Sequence, residues 1–171
     1  MNFSLRIATA ADAEQVTELG RETFYETWKD GYTEQDMDAY LSEAFRIELI
    51  RAELNDTSIK VVLAEVDGRL AGYGKLVENR FHASMGTQPF MELERLYLFR
   101  EFHATGLAYR LMDDVLDLAR SAGWEWIVLG VDVNNHRAIR FYTKYGFETF
   151  DKKIFRVGTI EDTDQLMKRR L

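Results

Sequence analysis

Three features of this chain could do chemistry together: a small-residue loop, a phenol and two carboxylates. The loop reads His103-Ala104-Thr105-Gly106-Leu107-Ala108. Small residues let backbone N–H groups close on an anion, and a helix starting there adds its positive dipole end. A side chain at Gly106 would block a phosphate, so glycine fits that role. No Gly-Lys-Ser/Thr follows and only one glycine is present, so neither a P-loop nor a dinucleotide fingerprint is written here. Taken alone, the loop reads more simply as a plain strand-to-helix turn. The phenol is Tyr142, on a later helical segment, and a phenol brought beside a phosphate site suggests proton transfer next to a large phosphorylated ligand. Glu92 and Glu94 have i, i+2 spacing on a strand, which sets both on one face. Carboxylates that close can hold one pKa up, bind a cation, or lie on a solvated face bridged to Lys75 or Arg95.

The elements that must position these groups follow from periodicity. Phe3 to Ala8 alternates as a strand, and Thr9 or Asp12 can cap a helix carrying Val16, Leu19, Thr23 and Phe24. Gly31 breaks it, Thr33 starts another with Met37, Tyr40 and Leu41 on one face, and Phe45 to Leu54 continues as helix. Ile59–Val66 and 70–77 read as strands joined by an Asp67-Gly68 hairpin. Residues 78–90 have no period and read as a mobile loop. Met91 to Leu98 is the next strand, and 106–122 is a helix with Leu107, Leu111, Val115 and Leu118 inward, stopped by Gly123. Trp126 to Val131 is an apolar run suited to a central strand. Asn135 to Tyr145 is a short helix ended by Gly146, and 148–157 with 165–168 complete the sheet.

Bulk properties bound the rest. The 171 residues show no repeat, linker or composition break, so residues 1–171 are expected to form one domain. Apolar residues at 46% and charged residues at 30% are ordinary for a soluble protein. No run of apolar residues is long enough for a membrane span, and no secretion signal is written at the start, so a cytoplasmic location and no membrane partner are expected. The chain has no cysteine, which excludes disulfides, thiolate metal sites and a cysteine acyl-enzyme. His82, His103 and His136 show no metal-ligand spacing, so no metal is expected. A formal charge of -7 disfavours nucleic acid and suits a cationic small substrate.

Two segments carry a family resemblance. His103-x-x-Gly106-x-Ala108 is similar to the Arg/Gln-x-x-Gly-x-Gly/Ala loop of the GCN5-related N-acetyltransferases, with His103 in place of the usual Arg or Gln. Asn135, Ala138, Ile139, Phe141, Tyr142, Gly146 and Phe147 match that family's second signature in full. The stretches ETFYETW, MDAYLSEAF, ELERLYL and TDQLM resemble the PaiA-type polyamine N-acetyltransferases.

The resemblance implies an α/β fold: a mixed, mostly antiparallel seven-stranded sheet flanked by helices, with a V-shaped split between strands 4 and 5. It implies acetyl-CoA as co-substrate, its pantetheine on the backbone of Leu96, Tyr97 and Leu98, its pyrophosphate on His103, Ala104, Thr105, Gly106, Leu107, Ala108 and Tyr109, and Asn135 on its arm. Tyr142 takes the general-acid position, protonating the departing sulfur. Backbone N–H groups at a bulge near Tyr97 and Leu98 polarise the thioester carbonyl. The acceptor is a primary amine, spermidine-like in the leading reading, taken in direct transfer. A protein N-terminus, a lysine or another small amine is the alternative, and a non-catalytic CoA-binding regulator is the rival of another class. Where many relatives carry a glutamate base, this chain has Gly130, which leaves Glu92 and Glu94 as candidates to take the ammonium proton. Tyr25, Trp28 and Tyr40, with Glu92, are the candidate substrate contacts, and Glu26 and Asp36 add negative charge nearby. A homodimer is common among such relatives.

Overall fold

A computed structural model describes residues 2–171. One sheet of seven strands takes in β1 (Phe3–Ile7), β2 (Ile59–Val66), β3 (Arg69–Arg80), β4 (Phe90–Leu98), β5 (Trp126–Asp132), β6 (Glu148–Val157) and β7 (Ile160–Arg170), in the spatial order β1-β2-β3-β4-β5-β7-β6. Every neighbouring pair is antiparallel except β4 with β5. The mixed, split sheet implied by the resemblance is therefore the one observed.

Helices cover both faces. On one lies α4 (Leu107–Ser121), with Leu111, Met112, Val115 and Leu116 buried against Leu93, Ile127 and Leu129, and with α5 (His136–Lys144) beside it. Leu118 sits at the edge of the inward stripe and is only partly buried. The other face carries α1 (Ala13–Trp28), α2 (Glu34–Ala44) and α3 (Ile47–Asn55), whose Phe24, Met37, Phe45 and Ile50 close on Val61, Leu63 and Tyr73. β5 is buried on both sides, which is why it reads as an unbroken apolar run. The Asp67-Gly68 turn has positive φ at both residues (50° and 80°), the twist that a two-residue hairpin needs.

Three expectations are corrected. The helix expected to run from Phe45 is broken there: Phe45 is a C-cap, and α3 starts afresh at Ile47. The segment expected as a mobile loop is much shorter, since β3 extends to Arg80 and β4 begins at Phe90. Its middle is a 3-10 turn pinned to β6: Ser84 donates to Asp151, and the His82 ring lies edge-on to Phe150 at 5.8 Å. The last strand starts at Ile160 rather than Gln165, paired to β6 across a hairpin at Gly158.

Candidate active site

β4 and β5 are paired at only two positions, Met91 with Ile127 and Glu92 with Val128. Beyond them the strands diverge, and the edge of β4 from Leu93 to Leu98 that faces β5 has no strand partner. A cleft of about 260 Å³ occupies the gap, floored by Leu96, Tyr97 and Leu98 on one side and Gly130, Val131 and Asp132 on the other.

The register of β3 against β4 slips between Lys75 and Leu76, which leaves Glu94 as an extra residue on β4. That bulge lies at Glu94, not near Tyr97 and Leu98 as the resemblance implied. Its effect is a switch of faces. Met91 and Leu93 pack toward α4 ahead of the bulge, and Leu96 and Leu98 do so after it. Arg95 and Tyr97 are thereby turned toward α1, with the Arg95 guanidinium 4.4 Å from the Phe45 ring centroid. Buried Lys75 fixes the bulge, its Nζ lying 2.5 Å from Glu94 and 2.5 Å from Glu53 of α3.

At one end of the cleft stands the 103–108 loop. The N–H groups of Ala104, Thr105, Gly106 and Ala108 find no acceptor among the described residues, whereas Leu107 N–H leans on the Thr105 hydroxyl at 3.4 Å. Ala104 (φ 63°) and Gly106 (φ 92°) are both left-handed. Such alternation turns successive amides inward to make an anion-binding concavity at the tip of α4. A Cβ built on Gly106 meets nothing within 4 Å, so the space above the loop is open. A largely apolar groove of about 380 Å³ continues from it, past Ala108 and Tyr109 to Phe141 and Tyr142. These residues fit a phosphorylated ligand with a long arm: free amides for the anion, then a groove leading to a free strand edge. The side chain of Leu107 is fully buried, so only its backbone belongs to the loop's surface.

His103 is not the phosphate contact that an Arg or Gln would be. Its Nε2–H donates to the Leu98 carbonyl at 3.1 Å, and its Nδ1 accepts from Arg137 at 2.7 Å. Burial and the Arg137 charge lower its pKa, so the ring is neutral. Arg137, in the first turn of α5, brings a cation to this mouth, with Arg140 and Lys144 further along the groove. Asn135 caps α5 by accepting from Ala138 N–H at 3.1 Å, leaving its amide NH₂ to face the cleft.

Tyr142 joins the two spaces, bordering both the cleft and the groove. Burial raises its pKa well above the ordinary phenol value, with Tyr97 adding to the effect. Its hydroxyl has no hydrogen-bond partner among the described residues. Neutral and unengaged, it is placed to donate.

Of the expected acceptor-side residues, Trp28, Tyr40, Glu92 and Glu94 border the cleft, but Tyr25 does not. Tyr25 is 51% exposed, because the inward stripe of α1 is Phe24 and Trp28, with Phe24 stacked on Tyr40 at 4.5 Å. Glu92 is ion-paired to Arg80 at 3.2 Å and to Lys153 at 3.7 Å. At Glu94 burial works to raise the pKa, but Lys75, Arg95 and Arg80 overrule it, and the net shift is downward. That is opposite to the raised pKa expected of a carboxylate pair. Glu26 accepts from Arg100 N–H, and Asp36 from Thr159.

The family model described as Acetyltransferase (GNAT) family matches residues 14–147. The chain belongs to the GNAT acetyltransferase family. An uncharacterized N-acetyltransferase of Mycobacterium tuberculosis is 37% identical over 135 residues, covering 79% of this chain and 80% of its own. Among solved structures, the PaiA N-acetyltransferase of Thermoplasma acidophilum in complex with coenzyme A superposes with a TM-score of 0.80 at 23% identity, covering all of both chains. The Salmonella typhimurium yncA, a putative acetyltransferase with acetyl-CoA, superposes at 0.68 and 22% identity over 100% of this chain and 95% of its own.

In this acetyltransferase the cleft holds groups that sequence reasoning missed: Tyr32, Arg137, Asp132, Lys153, Phe155 and Asp164. Only part of this was signalled. Asp162 and Asp164 share the parity of buried Leu166, which would have set them on one inward face had β7 been read as starting earlier. Tyr32 hydrogen-bonds Asp162 across a contact that no local pattern encodes.

Proposed function

We propose that the chain transfers acetyl from acetyl-CoA to a small primary amine, with a polyamine such as spermidine as the leading acceptor. The carrying observation is the continuity of the site. Free amides at Ala104, Thr105, Gly106 and Ala108 open through an apolar groove onto the unpaired edge of β4 and the Tyr142 hydroxyl. On this reading the diphosphate lies on the loop amides with Arg137 beside it, and the arm runs along β4. Two structural neighbours hold coenzyme A or acetyl-CoA, which supports that class of ligand. The thioester then reaches Tyr142, whose neutral phenol protonates the leaving sulfur. Amides where β4 parts from β5 lower the cost of charge on the carbonyl oxygen.

The acceptor side favours a small molecule over a protein. The β6–β7 hairpin is latched to α2, since Asp36 accepts from Thr159 N–H at 2.7 Å and Thr159 O–H at 3.1 Å. Tyr32 reaches Asp162, and Tyr40 meets Phe155 edge-on at 5.7 Å. These contacts roof the cleft where a peptide would enter, and Asp132, Asp162 and Asp164 under the roof suit a cation.

The test is initial-rate thiol release from acetyl-CoA over a panel of spermidine, monoamines, lysine and peptides, with CoA binding followed by calorimetry. Release with spermidine and small amines supports the reading. Release with peptides alone moves the acceptor to a protein, and tight CoA binding with no release for any amine makes the chain a regulator.

A further inference from the structure

Gly130 of β5 leaves the cleft wall without a side chain, and the neighbouring strands fill the space beside it. A Cβ built on Gly130 would lie 2.9 Å from Lys153 Cε, 3.1 Å from Lys153 Nζ and 3.1 Å from Asp164 Oδ2. Asp164 comes from β7, opposite Asp132 of β5 and Lys153 of β6. It is 9% exposed and borders the cleft. Its carboxylate has no hydrogen bond and no cation within 4 Å among the described residues. The other cleft carboxylates are occupied. Glu92 and Glu94 are ion-paired, and Asp132 accepts from Asn134 N–H at 2.6 Å. Asp164 is thus a residue largely withdrawn from solvent whose carboxylate opens to the cleft with no protein group occupying it.

We propose that Asp164 is the catalytic base, taking the proton from the acceptor ammonium in the space left by Gly130. The inference rests on the amine-acetylation reading. One N–H bond of the ammonium breaks, and its proton moves to the Asp164 carboxylate, directly or through one water. The freed nitrogen lone pair forms the N–C bond to the thioester carbonyl carbon, and the C–S bond breaks as the sulfur takes the Tyr142 proton. The second nitrogen proton returns to the Tyr142 oxygen, and Asp164 releases its proton to solvent. The sum is ammonium plus thioester giving amide, thiol and one proton.

The surroundings suit that duty. Burial first, then the like charges of Asp132 and Asp162, raise the Asp164 pKa to about 6, against the opposing pull of Lys153. Tyr97 of β4 and Tyr32 before α2 face the same group as neutral phenols, their own pKa values raised chiefly by burial. Glu92 adds a further charge that Lys153 offsets. A base that is ionised above about pH 6 is available at neutral pH and still basic enough to accept a proton.

The test compares wild type, Asp164→Asn and Glu92→Gln in kcat/KM against pH, using primary amines whose own pKa falls from about 10.4 to about 7.7. Wild type should show an acid limb near pH 6 with the amine counted in its ammonium form. Asp164→Asn should lose that limb and about 10²-fold in rate with the most basic amines, with a smaller loss for the least basic ones. Its CoA affinity by calorimetry should match wild type, and Glu92→Gln should keep the limb. A carboxyl resonance titrating near pH 6 in labelled wild type, absent from Asp164→Asn, is the readout independent of turnover. A limb retained in Asp164→Asn, or a loss equal for all amines, overturns the assignment of Asp164 alone. No thiol release by wild type with any amine overturns the acetylation reading and this assignment with it.

Discussion

Lys75→Met removes the cation that holds the β4 bulge. Lys75 is 3% exposed and contacts Glu53 and Glu94 at 2.5 Å each. The Met side chain fills the alkyl volume, so the loss is electrostatic: two carboxylates are left together without their shared partner. Removing one member of a buried ion pair costs about 3–5 kcal/mol. The low end applies here, since the Glu94 side chain is 31% exposed and keeps Arg80 at 3.6 Å. With an unfolding entropy of about 2.1 cal/mol/K per residue, 171 residues convert about 3 kcal/mol into a Tm lowered by about 8 °C. Scanning calorimetry at neutral pH measures it. Adding Glu53→Gln and Glu94→Gln should recover most of the loss, because a neutral buried set no longer repels. The same single variant should lower kcat for thiol release with CoA affinity unchanged, since the 103–108 loop lies beyond the bulge. A Tm within about 2 °C of wild type would show that the carboxylates were solvated all along. A triple variant as unstable as the single would show that the loss was packing.

Tyr142→Phe should cut kcat about 10²-fold while leaving Tm nearly unchanged, because the hydroxyl has no protein partner to lose; rates and calorimetry on one preparation decide it, and an unaltered kcat removes Tyr142 as the acid. Gly106→Glu places a side chain at φ 92° and a negative charge among the free amides, so CoA affinity should fall at least tenfold by calorimetry, and equal affinity would mean that the diphosphate binds elsewhere. Gly158→Ala puts a Cβ 2.1 Å from Asp36 Oδ1 at φ 57°, so the hairpin latch should open; lower Tm and faster turnover of bulkier amines are expected, and an unchanged amine profile would show that the latch does not set acceptor size. The pKa of Asp12 is lowered to about 2 by Arg6 at 2.8 Å. Its stabilising contribution is thus present above its ordinary value of 3.8 and is lost as pH falls toward about 2, and Asp12→Asn should flatten acid unfolding in that window.

How much of this was legible follows the range of the interactions involved. The placements of Gly106, Asn135 and Tyr142 were readable because each is set by its own turn of chain. A left-handed residue at a helix start, a side chain capping the helix it opens, and a phenol at helical spacing are local facts. The hairpin at Asp67-Gly68 was readable for the same reason. Tyr25 failed because helical spacing gives the width of a stripe without its centre, and only the packing of Phe24 against Tyr40 fixes the rotation of α1.

The bulge and the base lie between these cases. MELERLYL contains the bulge in plain sight: apolar residues at 91 and 93 and again at 96 and 98 cannot share a face in an unbroken strand. The same break argues against reading Glu92 and Glu94 as a matched pair, since one stands in the regular ladder and the other is the inserted residue. Asp164 had no such local mark. Its inward parity can be counted back from Leu166, but its meaning depends on Gly130, two residues from its ladder partner Asp132, lying beside it, a placement set by the order of the whole sheet. A side chain missing from one strand is only a vacancy until the neighbouring strand is known. Here the neighbouring strands bring a carboxylate and an ammonium to the same volume, Asp164 from β7 and Lys153 from β6.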